Sequence, residues 1–282
     1  MMRKIVIPTD FSKNAFNALY FASKLFKYTR CDMYVLHAYA DEVYNESESK
    51  SREEMERRKE KIYDKVDLQL LHLEEKINEC LPNPKHKYKM LSAFGSLTDE
   101  VNNLVNLENA DCVVMGTRGK TNDRQITFGS NTVQVMKYVQ CPVLAIPEDY
   151  TYHEPREILF PSDYMVPYKR RELKFLCEIA GSYRSAIHLL YINPIQKLSI
   201  RQEDNMHYLK ECLYKAHLSF ETTEEKDKTM AITKYILHNK IDMLVMVNSQ
   251  HSHLEDLLYQ STLEKIGLHI KIPFLVFQNL HR

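Results

Sequence analysis

Three of the chain's six glycines fall within fourteen residues, and their spacing predicts a site for a phosphate-bearing small molecule. Gly116 and Gly119 follow a short apolar run, and Gly129 opens the segment Gly129-Ser130-Asn131 in front of a helical pattern. Glycine permits positive φ and lets a ligand approach main-chain amides without a Cβ in the way. A helix N-terminus adds unpaired N–H groups and the positive end of a dipole. The plainer alternative is a tight turn followed by a helix cap at Ser130, but the clustering favours a phosphate site.

One familiar phosphate-binding motif is excluded at the same place. The segment Gly119-Lys120-Thr121 looks like the end of a P-loop, but that motif requires glycine at position 114, which is Val114. The segment also follows the fourth predicted strand of its repeat. The chain is therefore not predicted to be a P-loop NTPase.

The elements that must position this loop alternate between strands and helices. Short apolar runs without polar alternation are typical of parallel strands covered on both faces, and helical periods separate them. The predicted strands of the first half are 5–8, 33–38, 87–93, 112–115 and 143–146. The glycine loop follows the fourth of these strands, at the carboxyl edge where open α/β sheets bind ligands.

An internal repeat divides the chain into two copies. RKIVIPTDFS at 3–12 returns as REILFPSDYM at 156–165, and CPVLAIP at 141–147 returns as IPFLVFQ at 272–278. The offset falls from 153 to 131, so the second copy has lost 22 residues, at the place where the first has a charged helix around 46–80. We predict domains at 1–149 and 150–282, with 150–155 as the connecting segment.

Composition narrows the classes of function. Lys and Arg together equal Asp and Glu, 38 against 38, so a nucleic-acid partner or a membrane surface is not expected. We find neither a signal peptide nor an apolar stretch long enough to cross a membrane. The six cysteines lack paired spacing and lie mostly in apolar runs, which indicates buried free thiols and a cytoplasmic location.

The glycine pattern resembles the ATP-binding signature of the universal stress protein family: G-x-x-G, nine residues, then G-[ST]-N. Pro8-Thr9-Asp10, His37-Ala38 and Cys141-Pro142-Val143 extend the resemblance. It implies two tandem, five-stranded, mainly parallel α/β sandwich domains of the Rossmann-like, adenine nucleotide alpha hydrolase-like class. It also implies an ATP-binding regulatory or protective factor in the stress response, with ATP bound with or without Mg²⁺.

The resemblance assigns roles to ten residues. Asp10 would hold the adenosine part of the nucleotide, with Thr9 and Ala38 lining the pocket for adenine and ribose. The backbone of Met115 and Gly116 would run along the base and ribose. The phosphates would be surrounded by Gly119, Gly129, Ser130 and Asn131, with Arg118 adding positive charge. For Asp10 an alternative remains open, because an aspartate before Ser12 could instead cap the following helix.

The second copy departs from the pattern. It keeps Asp163, but Val247–His253 has no glycine, and a Cβ at each position would obstruct the approach of a triphosphate. We therefore expect the second copy to be a structural partner that binds no ATP. His251 and His253 have no acidic or cysteine partner nearby, so no metal site is predicted.

No catalytic residue is assigned, because the sequence shows no Walker-B-like acidic cluster, no paired carboxylates for magnesium and no Ser/His/Asp set. Two alternatives stay open: a slow ATPase or nucleotidyl or phosphoryl transferase, and a non-catalytic stress scaffold. The family implies pairing of the last strands, Val143–Ile146 and Phe274–Phe277. An intramolecular pseudo-dimer is therefore expected, with a homodimer and an unknown protein partner as further options.

Overall fold

The computed structural model describes residues 2–44, 51–118, 128–165, 168–192, 198–248 and 271–279 of the chain. The chain forms two compact units, the first comprising 1–122 with 130–143 and the second 123–129 with 144–282. The predicted domain boundary between Asp149 and Tyr150 stays a prediction. Gly119 and the two histidines His251 and His253 lie outside the described residues.

The first unit alternates strands and helices as the apolar pattern predicts. Its elements are β1 (Met2–Pro8), α1 (Lys13–Leu25), β2 (Arg30–Ala38), α2 (Ala40–Tyr44), α3 (Arg52–Cys80), β3 (His86–Ala93), α4 (Leu97–Glu108), β4 (Cys112–Gly116) and α5 (Ser130–Tyr138), followed along the chain by β5 (Val143–Ile146). Its strands run in the order β3-β2-β1-β4. The pairs β2–β3, β1–β2 and β1–β4 are parallel.

Burial explains why these segments form these elements. Ile5, Val6 and Ile7 of β1 are fully buried, as continuous apolar runs between covering helices require. By contrast, the long helix α3 buries three of its 29 residues, Val66, Leu70 and Ile77. Such a helix lies on the surface, as its charge predicts. The sequence pattern did not predict α2, a five-residue helix.

The second unit repeats this plan with a shorter connection. Its elements are β6 (Glu157–Ser162), α6 (Arg170–Tyr183), β7 (Ala186–Ile192), α7 (Ile200–Cys212), β8 (His217–Thr223), α8 (Lys228–Asn239), β9 (Met243–Asn248) and β10 (Phe274–Gln278). The strand order is β8-β7-β6-β9-β10 and the pairs are parallel. Helix α7 has 13 residues where α3 has 29, which confirms the predicted place of the deletion.

Two further expectations can be compared with the structure. The six cysteines are free thiols: Cys80 is exposed, Cys212 is half-buried, and the other four, Cys31, Cys112, Cys141 and Cys177, are buried. Within the described ranges, no helix has the length and apolar character needed to cross a membrane.

Candidate functional site

The turn after β1 holds Thr9 and Asp10 at the carboxyl edge of the sheet. Both side chains accept hydrogen bonds from the turn's own backbone: Thr9 Oγ1 from the Phe11 N–H at 3.0 Å, and Asp10 Oδ1 from the Ser12 N–H at 3.0 Å. Ser12 Oγ in turn accepts from the Ala15 N–H at 3.1 Å and is the N-cap of α1. The alternative in which Asp10 caps the helix is therefore wrong. Ser12 is the N-cap, and Asp10 accepts a hydrogen bond from the backbone N–H of Ser12.

Phe11 makes this turn unusual. Its φ of 63° lies in the left-handed region that non-glycine residues rarely adopt. Its ring lies 4.6 Å from the ring of His37 and packs against a buried cluster that includes Tyr39 and Val43. Packing of this half-buried ring against the cluster offsets the backbone strain and fixes the direction of the chain between β1 and α1.

The end of β2 contacts the same turn. His37 is buried, with Nδ1 2.7 Å from the Thr9 carbonyl oxygen and Nε2 3.2 Å from Glu42 Oε1. The Thr9 N–H donates to the Leu36 carbonyl at 2.9 Å. These contacts place Ala38, half-buried at the end of β2, beside the turn that carries Asp10. His37 is a positioning group to which the sequence analysis gave no role.

The start of the glycine loop is held by side chains from two helices. The Thr132 hydroxyl on α5 lies 3.0 Å from the Gly116 carbonyl oxygen and 3.1 Å from that of Thr117. The Asn14 amide on α1 donates to the Arg118 carbonyl at 2.7 Å. Two protein donors therefore serve three consecutive carbonyl oxygens. These hydrogen bonds reduce the negative potential of the carbonyl groups, so the loop start is better suited to an anionic ligand.

The structure gives a reason for glycine at position 116 that the sequence analysis did not name. None of the glycines in the described ranges has a positive φ, so conformational freedom does not explain it. A Cβ at Gly116 would instead lie 2.8 Å from Asn14 Nδ2 and 2.9 Å from Asn14 Cγ. The space beside the Cα is filled by the carboxamide of Asn14.

The remaining predicted residues divide between described and undescribed parts. Met115 is buried at the end of β4, and Arg118 is half-buried just beyond it. Ser130 and Asn131 are exposed as the first two residues of α5, directly after Gly129. The structure thus brings Thr9, Asp10, Ala38, Met115, Gly116 and Arg118 to one edge of the first unit's sheet, whereas Gly119 cannot be placed. Sequence reasoning missed Asn14 and Thr132, which stand on ordinary helical positions.

The corresponding edge of the second unit carries the same turn with different surroundings. Asp163 Oδ1 accepts from the Met165 N–H at 2.9 Å, as Asp10 accepts from Ser12. Here, however, the Ser162 hydroxyl is in hydrogen-bonding contact with the phenol of Tyr168. The ring of Tyr164 stacks on that of Tyr191 with centroids 5.6 Å apart. Aromatic side chains of this unit thus contact the turn at Ser162 and Tyr164.

A polar hydrogen-bond network joins the carboxyl ends of β9 and β10. Glu172 on α6 is 5% exposed and accepts from the Gln278 N–H at 3.1 Å. Gln278 Oε1 accepts from Asn248 Nδ2 at 2.9 Å. Burial raises the pKa of the Glu172 carboxyl to about 7, and the hydrogen bond from Gln278 partly opposes that rise.

The second unit also contains a cluster that the sequence analysis did not find. His188 Nε2 lies 2.7 Å from Glu157 Oε2, and Nδ1 lies 3.1 Å from Ser219 Oγ and 3.0 Å from the Tyr235 hydroxyl. A serine nucleophile needs a histidine nitrogen free to take its proton, but here Tyr235 shares that nitrogen. The cluster also lies toward the amino ends of β6, β7 and β8. We interpret it as a cross-strand hydrogen-bond network.

Within the described ranges, no group of three or more His, Cys, Asp or Glu is placed to hold a metal ion.

Comparisons with known proteins agree with this architecture. The model of the universal stress protein family matches residues 1–147 and again residues 155–278. The universal stress protein MJ0577 of Methanocaldococcus jannaschii is 29% identical over 160 residues, covering 52% of this chain and 95% of that protein.

Solved structures support the tandem fold. A universal stress protein from Archaeoglobus fulgidus superimposes with a TM-score of 0.66 at 16% identity, covering 98% of this chain and 96% of its own. A protein of unknown function, PA1789 from Pseudomonas aeruginosa, superimposes with a TM-score of 0.57 at 12% identity. The match covers 98% of this chain and 92% of that protein. At these identities the likeness shows the fold.

Proposed function

The chain belongs to the universal stress protein family, with one family domain in each half, and from this premise we propose that its first unit binds ATP while its second does not. The bound nucleotide would act as a regulatory signal in a cytoplasmic stress response. The observation that carries the proposal is the built loop start, where Asn14 and Thr132 hold three consecutive carbonyl groups.

The geometry at the sheet edge supports an adenosine site next to a phosphate site. Asp10 stands where an acid could accept hydrogen bonds from the ribose, and Ala38 leaves room beside it. The exposed first residues of α5 supply the N–H groups and dipole that attract phosphate. Arg118 adds a positive charge next to the same loop. Mg²⁺, where present, would be coordinated by the phosphate oxygens of ATP rather than by a set of protein side chains.

The second unit supports a structural role. Its turn keeps Asp163, but Tyr168 covers Ser162, and the ends of β9 and β10 are joined by Glu172, Gln278 and Asn248. In this network the Asn248 amide donates to Gln278 rather than to a phosphate, and an ionised Glu172 would repel a phosphate. We therefore expect one nucleotide per chain.

The proposal is tested by isothermal titration of ATP into the full chain and into the Gly119→Val/Gly129→Val double variant. We expect saturable binding with one site per chain for the wild type and loss of that binding in the variant. Circular dichroism and thermal unfolding should show that the variant keeps the fold. Gly181→Ala is a control for glycine replacement outside the site, because Gly181 lies on α6 of the second unit, where its new Cβ would meet the side chain of Lys215.

Other outcomes favour the alternatives. Normal ATP binding by the double variant would show that the assigned site is wrong. Absence of binding to the wild type at millimolar ATP would favour the scaffold. We propose a binding protein rather than an enzyme, so ADP should not accumulate at enzyme-like rates; turnover well above about once per minute would support the slow ATPase. Titration with cAMP, which lacks the polyphosphate, tests how much of the affinity comes from the glycine loop.

A further inference from the structure

We infer that Asn14 is a positioning residue that fixes the phosphate end of the nucleotide site, and that position 116 is glycine because Asn14 fills the space beside it. The inference rests on the proposed function. It concerns the pair of Asn14 and Gly116, which the universal stress signature does not include as a unit.

The buried carboxamide of Asn14 makes an observed hydrogen bond to the backbone of Arg118. The residue is 8% exposed, and its Nδ2 donates to the Arg118 carbonyl at 2.7 Å. Its Oδ1 has no hydrogen-bond partner in the part of the chain that the structure describes. A buried acceptor without a partner costs free energy that an apolar side chain would avoid. The bond to Arg118, 104 residues away in the chain, is the observed interaction that requires an amide at this position.

Gly116 is fitted to this amide. The three atoms nearest to a Cβ built at position 116 are Nδ2, Cγ and Oδ1 of Asn14, at 2.8, 2.9 and 3.1 Å. Contacts under 3.0 Å cannot be kept, so an alanine at 116 must displace the carboxamide. Asn14 has little freedom to move, because its backbone is in the first turn of α1 and its amide is tethered to Arg118. Displacement would release the loop.

One helical turn therefore connects the two ends of the proposed ligand. The Ser12 N–H donates to Asp10, on the adenosine side, and two residues later Asn14 holds Arg118, on the phosphate side. Asn14 thus sets the spacing between these two parts. Its loss should weaken ligands that need both parts and spare ligands that need the adenosine part alone.

The first test compares ATP with adenosine. We expect Asn14→Ala to weaken ATP binding about tenfold and to change adenosine binding less than about twofold. If Asn14→Ala does not fold, Asn14→Leu serves instead, since leucine has nearly the same shape, adds no charge and removes the donor to Arg118. Asn102→Ala is the matched control: Asn102 also clamps a backbone, donating to the Tyr138 carbonyl and accepting from the Gln140 N–H, but at the far end of α5. It should leave ATP affinity unchanged.

The second test is a double-variant cycle between positions 14 and 116. Gly116→Ala should weaken ATP binding and lower the melting temperature in the presence of Asn14, and do so several-fold less in the Asn14→Ala background. Equal effects of Gly116→Ala in both backgrounds would overturn the pairing. Equal weakening of ATP and adenosine by Asn14→Ala would overturn the positioning role.

These failures are distinct from failure of the proposed function. If the wild type binds no ATP, the proposed function and the positioning role are both wrong, while the melting temperatures of the cycle still decide the pairing. If the wild type binds ATP and the variants at position 14 bind it equally well, the proposed function stands and the inference on Asn14 is refuted.

Discussion

Replacing Thr132 with valine removes the hydroxyl that holds the start of the glycine loop. Thr132 is 3% exposed, and its Oγ1 lies 3.0 and 3.1 Å from two carbonyl oxygens, those of Gly116 and Thr117. A hydroxyl has one proton, so the two carbonyls share one donor. Valine has nearly the same shape without that donor. Leaving a buried acceptor unsatisfied costs about 1–3 kcal/mol, and we expect Thr132→Val to reduce the free energy of unfolding by that amount.

Thr132→Ser is the matched control, because serine keeps the hydroxyl and loses a buried methyl group worth about 0.8 kcal/mol. Urea denaturation gives the free energies of unfolding, and calorimetric titration gives the ATP affinities. Since a displaced loop start would lose phosphate contacts, we expect about tenfold weaker ATP binding for Thr132→Val and near-normal binding for Thr132→Ser.

Two results would refute this reasoning. A valine variant as stable as the wild type would mean that the hydroxyl does not hold the carbonyls. A destabilised valine variant with unchanged ATP affinity would mean that the loop start at Gly116 is irrelevant to the ligand.

Three further predictions concern stability. The pKa of Glu172 is about 7 in the folded chain against an ordinary 4.5. Between these two pH values the Glu172 carboxyl is therefore protonated in the folded chain and ionised in the unfolded chain. Stability should therefore fall as pH rises from about 4.5 to about 7, and Glu172→Gln should raise the free energy of unfolding by about 2–3 kcal/mol at pH 8 and by little at pH 4.5; an equal gain at both pH values would contradict this. Leu70→Ala should cost about 2–5 kcal/mol in urea denaturation, because Leu70 packs in a buried cluster with Val43 and Val66, whereas Leu68→Ala, at an exposed position of the same helix, should cost far less. Ser12→Ala removes the N-cap of α1 and should cost about 1 kcal/mol; an unchanged melting temperature would show that the cap contributes nothing.

The sheet and its covering helices could be predicted from sequence because their signals are local and periodic. The runs at Ile5–Ile7 and Val143–Ile146 are apolar without alternation, and all are fully buried. The internal repeat shows the same pattern of strands and helices twice, so the prediction of two tandem domains did not depend on any one segment. The short helix α2 escaped because five residues do not span enough turns to show a period.

The side chains that hold the site could not be predicted for a physical reason. Asn14 and Thr132 act on carbonyls that lie 104 and 16 residues away, and polar residues at helical positions carry no local sign of such a contact. The cap of α1 shows the same limit at short range, since either Asp10 or Ser12 suits an N-cap by type and the backbone path selects Ser12. The sequence indicated that Gly116 is special because of positive φ and space for a ligand, whereas in the structure the space beside it is taken by Asn14.

The contrast between the two copies indicates that loss of glycines is one of several changes at the second edge. Two residues separate Asp10 from α1, whereas six separate Asp163 from α6. The longer connection includes Tyr168, whose phenol contacts Ser162. Restoring the three glycines alone, as Val247→Gly/Gln250→Gly/Gln260→Gly at the offset of 131 residues, should therefore create no second ATP site, because Tyr168 and the buried Glu172 still occupy this edge. Calorimetry should continue to give one nucleotide per chain, and a rise to two would show that backbone sterics alone had closed the second site.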